Sequence, residues 1–286
     1  MEYPVKTVCV VGLGYIGLPT AATLASRGID VVGVDINPRV VEAVNAGRCY
    51  FAEPDLDMLL RAATTLGKLR AADHPEPADA FVIAVPTPFH EDRSPNLDYI
   101  DLAADAIAPV LVSGNVVILE STSPVGTTKR LAARLARGRP DLRFPPARHS
   151  EPLDVHVAHC PERVLPGRMV RELIENDRII GGITEACAEH AEAVYRVFLQ
   201  GQAFRTDAST AESLNSLRMP RAMSISLSPT SFPWSAISLT SMCGRSSNSP
   251  TAIPGFRSCS RGLVWVAIAS RSIPGSSLRR HQNKRA

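Results

Sequence analysis

The chain runs out of acid long before it ends. Its last carboxylate side chain is Glu212, and residues 213–286 contain no Asp or Glu at all. Tryptophan shows the reverse: none before residue 213, and both copies, Trp234 and Trp265, after it. Serine is scarce in residues 1–212, with 7 copies, and abundant afterwards, with 18. No apolar run is long enough to span a bilayer, and no charged-then-apolar leader follows Met1, so a soluble cytoplasmic protein without membrane contact is expected. Six cysteines without regular spacing exclude a disulfide framework and fit reduced thiols. The net charge of +3 averages two unlike segments: 21 Lys/Arg against 28 Asp/Glu before the seam, 10 Lys/Arg against none after it. The acidic first part argues against a nucleic-acid surface. The basic tail lacks the interleaved aromatics and clustered charge of a nucleic-acid-binding arm. Two segments are expected, a globular unit over 1–212 and a Ser/Arg-rich, non-native, disordered tail over 213–286. Gly262–Ala269, the most apolar run of the tail, reads as a short strand without a companion.

Before the seam, short apolar runs alternate with helical patterns. Lys6–Val11, Val31–Asp35, Phe81–Val85, Val116–Leu119, Val155–His159, Arg178–Ile183 and Ala203–Thr206 read as strands. Gly17–Arg27, Pro38–Ala46, Asp98–Val112, Thr127–Arg137 and Glu185–Leu199 read as helices. Arg139–Pro152 is proline-rich and reads as a surface excursion. The alternation predicts an α/β fold, a Rossmann-type, doubly wound and mostly parallel sheet covered on both faces.

The turns between these elements carry the chemistry. Gly12, Gly14 and Gly17 form G-x-G-x-x-G between a strand and a helix. Gly12 permits the tight turn, Gly14 lets a pyrophosphate approach the backbone, and Gly17 lets helix and strand pack closely. The N–H groups of Tyr15 and Ile16 then face the phosphates. Asp35 ends the next strand, where a carboxylate bonds the adenosine ribose; that favours NAD over NADP, tempered slightly by nearby Arg39. Thr87, in Pro86-Thr87-Pro88, lies where the cofactor ribose or nicotinamide would pass, although a proline-rigidified loop explains the same residues. In the segment Glu120–Thr128, Thr122 is placed to position a water or a substrate oxygen. Thr127 and Thr128 can cap the following helix or face an anion. Glu162 and Arg163 suit proton handling and substrate binding, with a surface ion pair as the competing reading. Cys160 reads as packing and not as a nucleophile. His90, His149, His156 and His159 have no ligand spacing, so no metal site is expected.

Taken together, GLGYIGLP, GVDIN, AVPTPF, LESTSPVGT, CPERVLPG, NDRIIGG and TDASTAE resemble the nucleotide-sugar dehydrogenases of the UDP-glucose/GDP-mannose dehydrogenase family. The resemblance covers residues 5–212. AVPTPF, STSPVGTT and PERVLPG are most similar to members acting on UDP-N-acetyl-D-mannosamine. It implies oxidation of a sugar C6 alcohol to a carboxylate with two NAD⁺, through an aldehyde captured by a cysteine, in making precursors of surface polysaccharide. It further implies that Tyr15, Ile16, Asp35, Thr87 and Thr128 bind NAD. Thr122 and Glu162 would order water and protons, Arg163 and Val164 would contact the UDP-sugar, and the enzyme would be a homodimer.

The same resemblance implies a K-L-T-E-N helix with catalytic Lys and Asn, a long dimer-forming helix and a G-G-H-C nucleophile loop. Residues 213–286 contain none of these, and Cys243 and Cys259 stand in other surroundings. Joining the third base of each codon to the first two of the next recovers them. With permitted synonymous codons, Leu214 onward reads VKLTENATRDVNIAFANELSMVCDQ, and Ser260–Leu278 reads PGPGVGGHCIAVDPWFIA. The expectation is that residues 213–286 are an out-of-frame translation, so the chain is either a dehydrogenase by ancestry or an inactive NAD-binding remnant.

Overall fold

The computed structural model describes residues 5–53, 55–92, 94–146, 152–162, 164, 167–216, 256–258 and 264–266. Two units are distinguished, Met1–Ser238 and Leu239–Ala286.

In the first unit, eight strands form one sheet: β1 (Thr7–Val11), β2 (Asp30–Val34), β3 (Leu69–Ala72), β4 (Ala80–Ile83), β5 (Asn115–Leu119), β6 (Val155–His159), β7 (Arg178–Gly182) and β8 (Ala203–Asp207). Their order is β3-β2-β1-β4-β5-β6-β7-β8. Every neighbouring pair is parallel except β6 with β7. The first six strands follow the dinucleotide-binding order, with the reversal between β1 and β4, the place where open α/β sheets bind ligands at the carboxyl ends of their strands. The antiparallel turn at β7 brings Arg178, the first residue of that strand, to this same edge.

The sequence explains the layers. β4, β5 and β6 are buried at every position, as central strands covered on both faces must be. One face packs Leu18, Ala21, Ala22 and Ala25 of helix α1 (Gly17–Ser26) with Val40 and Val44 of α2 (Pro38–Asn45). Leu56, Leu60 and Ala63 of α3 (Leu56–Thr65), Leu173 of α6 (Met169–Glu175) and Tyr195 of α7 (Glu185–Arg196) complete that layer. The other face packs Ile100, Ala104 and Ile107 of α4 (Asp98–Ile107) with Leu131 and Leu135 of α5 (Thr127–Gly138). Helix α8 (Ala208–Ser216) lies against β7 so closely that a Cβ at Gly181 would fall 2.5 Å from that of Ala211.

Several expectations change. Residues 47–80, where the sequence pattern predicts no element, contain α3 and β3. The helix expected to reach Val112 ends at Ile107 and passes into a single tight turn, Ala108–Val110, around Pro109. In the supposed surface excursion after Arg139, Phe144 is buried in the core, held by Arg143 paired with Asp154 at 2.9 Å. α8 runs without a break through the compositional seam. The strand expected to lack a companion has one: β10 (Val264–Val266) pairs antiparallel with β9 (Phe256–Ser258). The expectation of disorder in the rest of the tail falls outside the described residues. Among the described residues, no helix is long and apolar enough to cross a membrane.

Candidate functional site

The glycine turn after β1 is built for close approach. Gly12 has φ +93, a left-handed value, and a Cβ there would lie 2.6 Å from the Ala84 carbonyl oxygen. A Cβ on Gly17 would run into the Gly12 carbonyl, so this glycine sets the distance between α1 and β1. At Gly14 a Cβ would meet nothing within 4 Å, leaving the head of α1 open toward the crevice. Among the described residues, no side chain caps this helix. Its first-turn N–H groups therefore suit an anion from outside the fold, and the donor set fits a dinucleotide pyrophosphate.

Around this opening the sequence-predicted residues converge. Asp35 accepts hydrogen bonds from Leu13 N at 3.0 Å and Asn37 N at 2.9 Å, so its carboxylate is fixed beside the turn. Asn37 caps α2 through Arg39 N at 3.1 Å, which places Arg39 on the exposed first turn of that helix. Tyr15 is exposed and stacks on Phe51 with ring centroids 4.4 Å apart. Tyr50 donates to the Leu13 carbonyl at 2.6 Å, a brace on the turn that composition alone did not reveal. Thr87 donates to the Thr122 carbonyl at 2.7 Å, tying the loop after β4 to the loop after β5. Thr122 itself is exposed at that edge.

At α5 the reading divides. Thr127 donates its hydroxyl to the Pro124 carbonyl at 2.7 Å; it is the first residue of the helix, behind the N-cap Gly126, and does not cap it. Thr128 is fully buried, and its hydroxyl and N–H both donate to Glu212, at 2.6 and 2.7 Å. The Gly126 N–H reaches the other oxygen of the same carboxylate at 2.7 Å. The anion at the head of α5 is thus the chain's own Glu212, so of the two readings, cap or anion site, Thr128 meets an anion supplied from within the chain. Glu53 does the same at the start of α6, accepting from Gly167 N and Met169 N at 2.7 Å each.

Glu162 is not half of a surface pair. It binds Arg178 of β7, whose side chain is almost wholly enclosed, and Arg178 also pairs with Glu120 at 3.2 Å. Nothing in the sequence marks Arg178, Glu120 or Tyr195 as site residues beyond a lone arginine opening a strand and a glutamate following one. Cys160 is fully buried beside them, and burial pushes its thiol up to about 12, which agrees with packing and not with a nucleophile. Val164 lies half-buried against the α1-side core, while Arg163 is outside the described residues.

Comparison with known proteins places this geometry. Residues 6–199 match the UDP-glucose/GDP-mannose dehydrogenase family, NAD binding domain. The chain is 59% identical over 207 residues to the NDP-N-acetyl-D-galactosaminuronic acid dehydrogenase of Ralstonia nicotianae, covering 72% of this chain and 49% of that protein. It is 58% identical over 206 residues to the UDP-N-acetyl-D-mannosamine dehydrogenase of Campylobacter jejuni, covering 72% and 50%. The solved structure of a UDP-D-ManNAc dehydrogenase from Pyrococcus horikoshii superposes with a TM-score of 0.68 at 43% identity, covering 73% of this chain and 49% of that one. The chain spans about half the length of the curated relatives it matches. On the glycine turn, the strand order and these matches, the chain belongs to the UDP-glucose/GDP-mannose dehydrogenase family, with NAD as its cofactor.

Proposed function

We propose that the unit over residues 1–212 serves the NAD-dependent oxidation of the C6 alcohol of a UDP-N-acetylhexosamine, UDP-N-acetyl-D-mannosamine foremost. The open head of α1 beside a fixed Asp35 carries this reading. Bound NAD would supply the hydride acceptor. Backbone N–H groups of Tyr15 and Ile16 hold its pyrophosphate, Asp35 its adenosine ribose, and Thr87 and Thr122 border its nicotinamide end. Thr128 reaches none of these directly; its share is to lock the α5 head. Glu162 handles protons at the edge of the sheet, with Arg163 and Val164 toward the sugar nucleotide. The near-equal identities to the two relatives leave the mannosamine assignment resting on the AVPTPF, STSPVGTT and PERVLPG segments.

A second reading has its own observation. Residues 213–286 lack the K-L-T-E-N and G-G-H-C segments, as an out-of-frame translation would, and without a nucleophilic cysteine loop no acyl-enzyme forms. On this reading the chain binds NAD and turns over nothing. Purified protein offered NAD⁺ with UDP-N-acetyl-D-mannosamine, UDP-N-acetyl-D-galactosamine or UDP-glucose decides between them. NADH formation from the first sugar supports the oxidation; saturable NAD binding with no NADH from any sugar establishes the remnant. Absence of NAD binding removes both. Sequencing the gene across codons 205–220 tests the frame independently.

A further inference from the structure

A short segment between α2 and α3 touches the glycine turn at two points and is moored away from it at two others. Tyr50 donates its hydroxyl to the Leu13 carbonyl at 2.6 Å. Phe51 packs against the exposed ring of Tyr15, centroids 4.4 Å apart, and meets Tyr50 edge-on at 5.0 Å. Two residues on, the buried Glu53 accepts from the N–H groups of Gly167 and Met169 at 2.7 Å each. On the near side, the Cys49 N–H donates to the Asp57 carboxylate at 2.8 Å. The rings of Tyr50 and Phe51 are thus held from both sides by bonds that do not involve the Tyr50 hydroxyl. That hydroxyl acts on a joint of the turn that glycine leaves loose. Leu13 is fully buried, and its N–H is held by the Asp35 carboxylate at 3.0 Å. Gly14 has no side chain, and a Cβ there would meet nothing within 4 Å, so the usual steric resistance to rotating the Leu13–Gly14 peptide is missing. A peptide unit is planar and trans, with its C=O and N–H pointing in opposite directions. Holding the Leu13 carbonyl on Tyr50 therefore fixes the direction of the Gly14 N–H, at the glycine where a pyrophosphate comes closest to the backbone.

We propose that Tyr50 is a positioning residue for the cofactor: its bond to the Leu13 carbonyl pins the Leu13–Gly14 peptide in the orientation in which the turn receives the dinucleotide pyrophosphate. The turn then meets NAD already shaped, and binding does not bear the entropy of ordering it. Phe51 acts on the next residue, because its contact with the Tyr15 ring holds a residue whose own N–H faces the pyrophosphate. Burial pushes the Tyr50 phenol up to about 12, with the Asp35 carboxylate acting in the same direction, so the hydroxyl keeps its donor proton at neutral pH.

This role rests on the pyrophosphate seat at the head of α1 proposed above, and the tests separate the two. Calorimetric titration of the 286-residue protein with NAD⁺ compares the unaltered chain with Tyr50→Phe, which removes only the hydroxyl. NAD affinity is expected to fall about fivefold, while the unfolding midpoint drops by only about 3 °C. Adenosine, which offers Asp35 a ribose but carries no phosphate, should bind both proteins within about twofold. A merely structural role would weaken both ligands alike. Labelling leucine with ¹³C at the carbonyl and glycine with ¹⁵N marks two peptides in the chain, Leu13–Gly14 and Leu66–Gly67. The first resonance should shift on saturation with NAD⁺ and broaden in Tyr50→Phe; the second should do neither. The shift is read on the unaltered protein, so it serves where the variant fails to fold. Unchanged NAD affinity in Tyr50→Phe overturns the proposal, as do equal losses for NAD and adenosine or a Leu13–Gly14 resonance indifferent to NAD⁺. An unaltered chain that binds adenosine but not NAD⁺ defeats the pyrophosphate seat itself, and the proposal with it.

Discussion

Two helices of this fold begin at the same edge of the same sheet, and they treat their first turns in opposite ways. The head of α1 has no side-chain cap and an empty space at Gly14; the head of α5 is closed by a buried glutamate from 84 residues further along the chain. Both ends present the same unpaired N–H groups and the same positive end of a helix dipole. The difference lies only in what supplies the anion. Where the fold supplies it, the helix end becomes a clamp. Where the fold withholds it, the end becomes a place for a ligand.

That contrast can be broken from either side. The largest effect is expected from Glu212→Ala, which strands the buried N–H and hydroxyl of Thr128 and the half-buried Gly126 N–H; urea unfolding should show a loss of about 3 kcal/mol. NAD affinity, measured by calorimetry on the folded fraction, should stay within about twofold. An equal loss of affinity would show that the two helix heads are not independent. Gly14→Val is the mirror image. The open space should accept the side chain with little change in unfolding midpoint, while NAD affinity falls about thirtyfold, roughly 2 kcal/mol, as the pyrophosphate meets the new methyl groups. Destabilisation without loss of affinity would refute the ligand role of the α1 head. The smallest effect belongs to Asp35→Ala, about tenfold or 1.4 kcal/mol in NAD affinity. NADP affinity should fall less or rise, because a repelling carboxylate has gone; parallel losses for both cofactors would remove Asp35 from the ribose.

Legibility followed the range of the interactions. The strand, the glycine turn and Asp35 lie within 35 residues of the start, and each signals itself by local spacing. α3 was missed although Leu56, Leu60 and Ala63 repeat at helical intervals, because it starts from Asp55 at φ 68 without a capping side chain. β3 is four residues with two alanines, too short to stand out by pattern. The clamps of Glu53 on α6 and Glu212 on α5, and the Arg178–Glu120 pair, join residues 58 to 116 positions apart, and a single sequence carries no sign of such pairings. Glu212 was visible only as the last acid before the seam.

Its place in the structure bears on how the molecule is divided for study. The family match stops at residue 199, and a fragment cut there would discard β8 and α8. The exposed edge of β7 and the bare head of α5 would follow, with Thr128 left facing a void. A fragment carried through Ser216 keeps the glutamate and the helix that delivers it. The smallest piece worth expressing is therefore set by one carboxylate, and it keeps the whole of the helix that carries it.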